Sequence, residues 1–227
     1  MTMSCYTDWK FIAAGDGGYA KGRNLLRYLQ YRDDAINHIP RAGGPDRWID
    51  CGLGGSWREI LDNASELQTD KVLLRALVIR PPQELVAELE EVDPERWANR
   101  RELLEEVVHR VMDAEMERAG VQRPDGTKQP LDLPCSYVIH APDDSDGIES
   151  PHAHVIVPAM DGQSPDGERA FNVYRRDVQQ TRAVAERETE RLFELSRVRE
   201  RQPELEREPE MGLGSLDREI PFFDIDR

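Results

Sequence analysis

His140 is followed, after eleven residues, by His152-Ala153-His154, so three of the chain's five histidines fall within a span of fifteen residues. Side chains alternate along an extended strand, which puts His152 and His154 on one face, about 6.6–7 Å apart. The segment CSYVIHA (135–141) reads as a strand ending near His140, and HAHVIVP (152–158) as the next. The loop between them returns the chain as an antiparallel pair, so His140 stands at the same end of the sheet as the other two. Three neutral imidazoles converging on one point make a metal site with positions left for water or substrate. Nitrogen ligands favour zinc, manganese or another transition ion over magnesium, although the chemistry runs with whichever divalent ion is at hand. An HxH pair alone is often a packing feature; the third histidine, carried by a hairpin, turns the pattern toward a metal. The acidic loop between the strands (Asp143, Asp144, Asp146, Glu149) is either an ordinary solvated turn or a source of carboxylates for the spare N–H of a ligand histidine.

Those two strands need a sheet and helices to hold them. Residues 6–14 (YTDWKFIAA) read as a first strand, followed by a glycine-rich turn at Gly15, Gly17 and Gly18. Residues 20–32 read as a helix with Leu25, Leu26 and Leu29 as its apolar stripe. The Gly- and Pro-rich stretch 37–56 reads as a long irregular loop. KVLLRALVIR (71–80) is a buried strand closed off by Pro81-Pro82, which cannot continue a ladder. Helices follow over 83–91 and 94–119, the second with Asp93 as N-cap, Pro94 in the first turn and Gly120 as the stop. Leu103, Leu104, Val107, Val108, Val111 and Met112 give that helix a core face, and His109 reads as a surface histidine on it. A turn-rich loop leads to the histidine strands, and 171–201 reads as a long charged helix. The expected architecture is α+β, a central antiparallel sheet flanked by helices, over residues 1–201. Residues 202–227, with eight acidic and three basic side chains among Pro and Gly, read as an acidic flexible tail that offers a contact for a protein partner.

Composition narrows the class. Hydrophobic content of 38% with 33% charged residues fits a soluble globular protein, and no apolar run approaches the ~18–20 residues that span a bilayer. The first ten residues lack the apolar stretch of a signal peptide, and three widely spaced cysteines form no CxxC, so a cytoplasmic location is expected, without a cysteine-based zinc site. The net charge is −15, unlike the basic footprint of most nucleic-acid binders. It is unevenly spread: residues 1–80 sum to +1 and residues 81–227 to −16. A locally basic groove is compatible with that distribution.

The stretch HAPDDSDGIESPHAHVIV resembles the three-histidine motif of conjugative and mobilization relaxases of the HUH superfamily. GRNLLRYLQYRDD is similar to their tyrosine motif, and LLRALVIRPP with the helices after it resembles the segment between the two. The resemblance covers roughly residues 6–200. It implies an HUH endonuclease fold and a DNA-nicking enzyme acting on single-stranded DNA or a DNA hairpin. It also implies a divalent metal (Mn, Mg or Zn) that polarises the scissile phosphate, and a tyrosine that attacks to leave a 5′-phosphotyrosine link and a free 3′-OH. By position, Tyr28 matches the nucleophile and His140, His152 and His154 the metal ligands. Tyr31, one helical turn away, and Tyr19, in the glycine-rich turn, stay open as nucleophiles, and two tyrosines acting in succession fit as well. Arg23, Arg27 and Arg32 either contact phosphates or form a solvated face. No helicase or primase segment follows, which suggests a stand-alone endonuclease in mobilization, replication initiation or transposition.

Two enzyme alternatives fail on residues. A histidine-triad hydrolase needs a third histidine where Ile156 stands, and a two-histidine phosphoesterase needs two HxS or HxT pairs that the chain lacks. A non-catalytic adaptor on the same fold, binding DNA or a protein, remains the alternative that the acidic balance favours.

Overall fold

The computed structural model describes residues 5–31, 48–123, 125–140, 151–161 and 171–205. Arg32, the acidic loop residues Asp143, Asp144, Asp146 and Glu149, and the tail from residue 206 onward lie outside the described residues. The chain runs β1 (Tyr6–Ala13), α1 (Asp16–Tyr31), β2 (Ile49–Cys51), α2 (Trp57–Glu66), β3 (Val72–Arg80), α3 (Gln83–Val92), α4 (Pro94–Ala98) and α5 (Arg100–Ala119). It continues through β4 (Val121–Gln122), β5 (Lys128–Gln129), β6 (Cys135–His140), β7 (His152–Pro158) and α6 (Arg175–Leu205). Five strands form one sheet in the order β1-β3-β7-β6-β2, every neighbouring pair antiparallel. β4 and β5 pair only with each other. This is the α+β fold with a helix-flanked antiparallel sheet that the sequence predicts.

Alternation along the strands sorts two cores. On one face Leu74, Ala76, Val138 and Ile156 pack with Leu26 and Leu29 of α1 and Ile60, Leu61 and Ala64 of α2. On the other, Leu77, Ile79, Tyr137, Ile139, Val155 and Val157 pack with Val107, Val108, Val111 and Met112 of α5 and Ala185 and Leu192 of α6. Both faces of β7 are therefore covered, and its register is tightly specified.

Several boundaries differ from the sequence reading, each for a local reason. The helix begins at Asp16, so Gly17 and Gly18 belong to α1 rather than to a turn. The reversal itself falls on Gly15, whose φ of 92° is a conformation that glycine adopts without strain. Gly18 is required for packing: a Cβ there would lie 1.7 Å from the carbonyl oxygen of Ala13. The stretch 37–56 is not all irregular, because its end supplies β2 and the N-cap of α2. Ser56 Oγ accepts from the Glu59 N–H at 3.3 Å, and Glu59 Oε2 accepts from the Gly55 N–H at 3.0 Å. The expected helix 94–119 is two helices, broken at Asn99. The turn-rich loop folds into the β4–β5 hairpin around Gly126. The last helix is displaced to 175–205, because Phe171 is buried against Trp9 and Asp177 Oδ2 caps the Tyr174 N–H at 2.7 Å. Among the described residues no helix is long and apolar enough to cross a membrane.

The close approach of Gly18 to β1 is testable. Gly18→Ala places a methyl group against rigid backbone, and α1 can relieve it only by leaving the sheet. A loss of about 3 kcal/mol in urea denaturation is expected. An unchanged midpoint would show that the first turn of α1 is not seated on β1.

Candidate functional site

The β6–β7 register pairs His140 with His152 and Val138 with His154. Cross-strand partners point to the same face, so all three histidines project from the face that α1 and α2 cover. Their ring centroids form a nearly equilateral triangle, with sides of 5.2 Å (His140–His152), 5.4 Å (His140–His154) and 5.2 Å (His152–His154). His140 and His152 expose 1% and 0% of their surface, and His154 is half-buried at the open side.

The triangle has the centre-to-centre spacing that a shared divalent ion would require. A metal–nitrogen bond of about 2.0–2.1 Å, with the ring centre roughly 1.2 Å beyond, keeps three tetrahedrally spread imidazoles about 5.3 Å apart, centre to centre. Neutral imidazole is also the right donor for zinc, manganese or a similar ion. Among the described residues no group of three or more His, Cys, Asp or Glu side chains is arranged to hold a metal ion as it stands. What the fold supplies is the three rings on one face at a spacing that ligation needs. Cys51 and Cys135, free thiols opposite each other on β2 and β6, lie at the far end of β6, five residues from His140.

α1 brings the tyrosines to this end. β1 spans about 26 Å, the chain reverses at Gly15, and the sixteen residues of α1 rise about 24 Å back along the sheet. Gly22 sits over Leu73 and Leu74 near the start of β3, while Leu26 and Leu29 reach the cluster that contains Val138 and Ile156. The last turn of α1 therefore returns to the end where β6 stops and β7 starts. Tyr28 is 55% exposed there. Tyr31 is half-buried, its hydroxyl 3.4 Å from Gln30 Nε2. Tyr19 lies three turns back, at the other end of α1, and donates to Asp62 Oδ1 at 3.2 Å. Desolvation and that carboxylate raise its pKa above the ordinary tyrosine value, which works against forming a phenolate there.

The basic residues divide the same way. Arg23 acts electrostatically on Tyr19, toward the start of the helix. Arg27 holds its guanidinium 5.8 Å from the centre of the Trp57 ring, and Arg58 holds its own at 5.0 Å. Trp57 donates its backbone N–H to Gln30 Oε1 at 3.3 Å, tying the start of α2 to the last turn of α1. Sequence reading passed over Trp57 and Arg58 because they open a helix that it did not identify; the Ser56–Glu59 capping box was the available signal. His109 is exposed, as expected, with Nε2 3.0 Å from the Tyr137 hydroxyl on the opposite face of the sheet.

No protein-family model and no curated protein matches the sequence. Solved structures do match in fold. The metal-bound conjugative relaxase TrwC in complex with oriT DNA aligns over 82% of this chain and 68% of that one, with a TM-score of 0.52 and 14% identity. TrwC complexed with a 27-mer DNA comprising the recognition hairpin and the cleavage site aligns over the same shares, with a TM-score of 0.51 and 12% identity. At such identities the likeness is one of backbone architecture: this chain shares the fold of those TrwC structures.

Proposed function

We propose that the protein is a metal-dependent, site- and strand-specific DNA nickase of the relaxase type, acting on single-stranded DNA through a tyrosine. The observation that carries this reading is the triangle of His140, His152 and His154 at the sheet end to which α1 returns Tyr28. His140, His152 and His154 hold the metal, which when bound supplies Lewis-acid polarisation of a phosphodiester oxygen. Tyr28 is the nucleophile: its hydroxyl gives up its proton to solvent, its Oη forms a bond to phosphorus, and the P–O3′ bond breaks. The 3′ oxygen takes up a proton, and the 5′ side stays on the protein as a phosphotyrosine. That linkage keeps the energy of the cut bond available for resealing, as transfer or replication initiation requires. Arg27 and Arg58 offer charge to the incoming strand. Tyr31, on the same turn, is placed for a second transfer, and Arg23 lies further from the site.

The competing reading, a binding adaptor without catalysis, draws support from the net charge of −15. Cleavage separates the two. With manganese and a single-stranded oligonucleotide carrying the target site, the nickase yields a covalent adduct that survives a denaturing gel. Tyr28→Phe removes one hydroxyl from a half-exposed side chain, so it should abolish adduct and cleavage with folding and metal affinity intact, while Tyr31→Phe costs much less. Peptide mapping of the adduct to Tyr31 or Tyr19 would move the assignment. Cleavage that persists with all three tyrosines replaced would end it.

The metal is tested apart from DNA. His154→Ala and the double variant His152→Ala/His154→Ala should weaken manganese binding in calorimetry by about 10-fold or more, the scale on which even the outer partners of metal ligands act. Circular dichroism of the single variant should stay native. Binding should also fall on acidification, since only the neutral ring ligates. Unchanged affinity in the double variant would place the metal elsewhere.

A further inference from the structure

The row of the sheet that contains His152 and His140 has another occupant. Tyr6 pairs with Arg80 across β1 and β3, and Ile79 pairs with Ala153 across β3 and β7. One residue on, Arg80 stands beside His152, which itself pairs with His140. Along β3, Leu77 and Ile79 face α5 and α6, so Arg80 shares the α1-side face with Leu74, Ala76 and the histidines. With strands about 4.8 Å apart, its Cα lies about 5 Å from that of His152. The long Arg80 side chain spans more than that distance.

Arg80 is half-buried, and its Nε is fully buried with no hydrogen-bond partner. The carboxylate nearest by register, Asp8, sits diagonally opposite and is engaged by Lys10 at 3.7 Å. A guanidinium cannot shed its charge, and a buried donor left unsatisfied is costly. A planar fork of donors beside a metal site suits one class of ligand, the tetrahedral oxyanion, which it can grip through two oxygens at once.

We infer that Arg80 binds the scissile phosphodiester directly, gripping its non-bridging oxygens from the side of His152 opposite His140. In that role it is a catalytic residue, because charge on those oxygens must be balanced as the P–O bonds exchange. The inference rests on the nickase reading for its substrate, and on the sheet register alone for its place.

The test uses Arg80→Met, which keeps the apolar length of the side chain, and Arg80→Lys, which keeps the charge without the fork. Calorimetry with inorganic phosphate, on protein with and without manganese, reads the anion site without any cleavage. Arg80→Met should weaken phosphate binding by about 10-fold with manganese affinity unchanged, and Arg80→Lys should recover part of the loss. At saturating oligonucleotide and metal, Arg80→Met should lower the cleavage rate by about 100-fold. Wild-type protein that binds no phosphate, or Arg80→Met protein that binds it as wild type does, overturns the inference even if Tyr28-dependent nicking is found. Arg80-dependent phosphate binding without nicking upholds the anion site and instead removes the nickase reading. Should Arg80→Met fail to fold, Arg80→Lys decides: undiminished phosphate binding and cleavage in that variant would show that the fork is not used.

Discussion

The antiparallel register of β6 on β7 is the constraint on which the site depends. With His140 opposite His152, three imidazoles share one face and Tyr137, Ile139, Ala153 and Val155 share the other. A slip of one residue on either strand would turn that strand's histidines into the α5–α6 core and its apolar residues toward α1. The apolar side sets the balance. Each large side chain fully buried is worth about 1.5–3 kcal/mol, and Tyr137, Val155 and Val157 are all within 1% of complete burial. Burying the imidazoles of His140 and His152 opposes folding unless something satisfies them. The hydrophobic face fixes the register, and the histidines are carried into position by it.

A second fixture holds the opposite face still. Trp9 Nε1 donates to Thr181 Oγ1 at 3.1 Å, and Thr181 donates to Glu115 Oε1 at 2.8 Å. Arg118 bridges Glu115 at 2.8 Å and Asp177 at 3.2 Å, both carboxylates nearly fully buried. Buried ion pairs are weak contributors to stability, since desolvation offsets most of their attraction. Their geometry is directional, however, and it links β1, α5 and α6 in one arrangement. The contrast with the other face is plain. There α1 is held by close packing at Gly18 and by the Gln30–Trp57 hydrogen bond, so the helix that carries Tyr19, Tyr28 and Tyr31 is fastened at both ends.

Much of this was legible in the sequence, because the histidine pattern and the strands obey a period of two. β3 and the core face of α5 follow from their apolar spacing alone. What was not legible depends on distance in space. Gly17 and Gly18 look like turn residues until the Ala13 carbonyl is seen to occupy the volume where a side chain would be. Tyr19, Tyr28 and Tyr31 are equivalent by type and share one helix, and exposure, the Asp62 hydrogen bond and the direction of α1 separate them. The break at Asn99 leaves no strong mark in a sequence where Arg100 and Arg101 continue as good helix formers. Arg80 reads as the polar end of an apolar strand before Pro81-Pro82. Only the pairing of three strands shows that it shares a row with two histidines.

Charge is unevenly spread along the chain, and this bears on the proposed function. Residues 83–119, which form α3 to α5, carry 12 acidic and 5 basic side chains and sum to −7, whereas α1 at +2 and α2 at −2 cancel; nine of the sixteen surplus negative charges of residues 81–227 lie outside the described residues. A single helix layer is about 10 Å thick, and at physiological salt charges are screened over about 8 Å. Under the proposed function, a phosphate at the α1–α2 face would have the sheet between it and the carboxylates of α5. Under the proposed function, that asymmetry gives a strand one face to dock on.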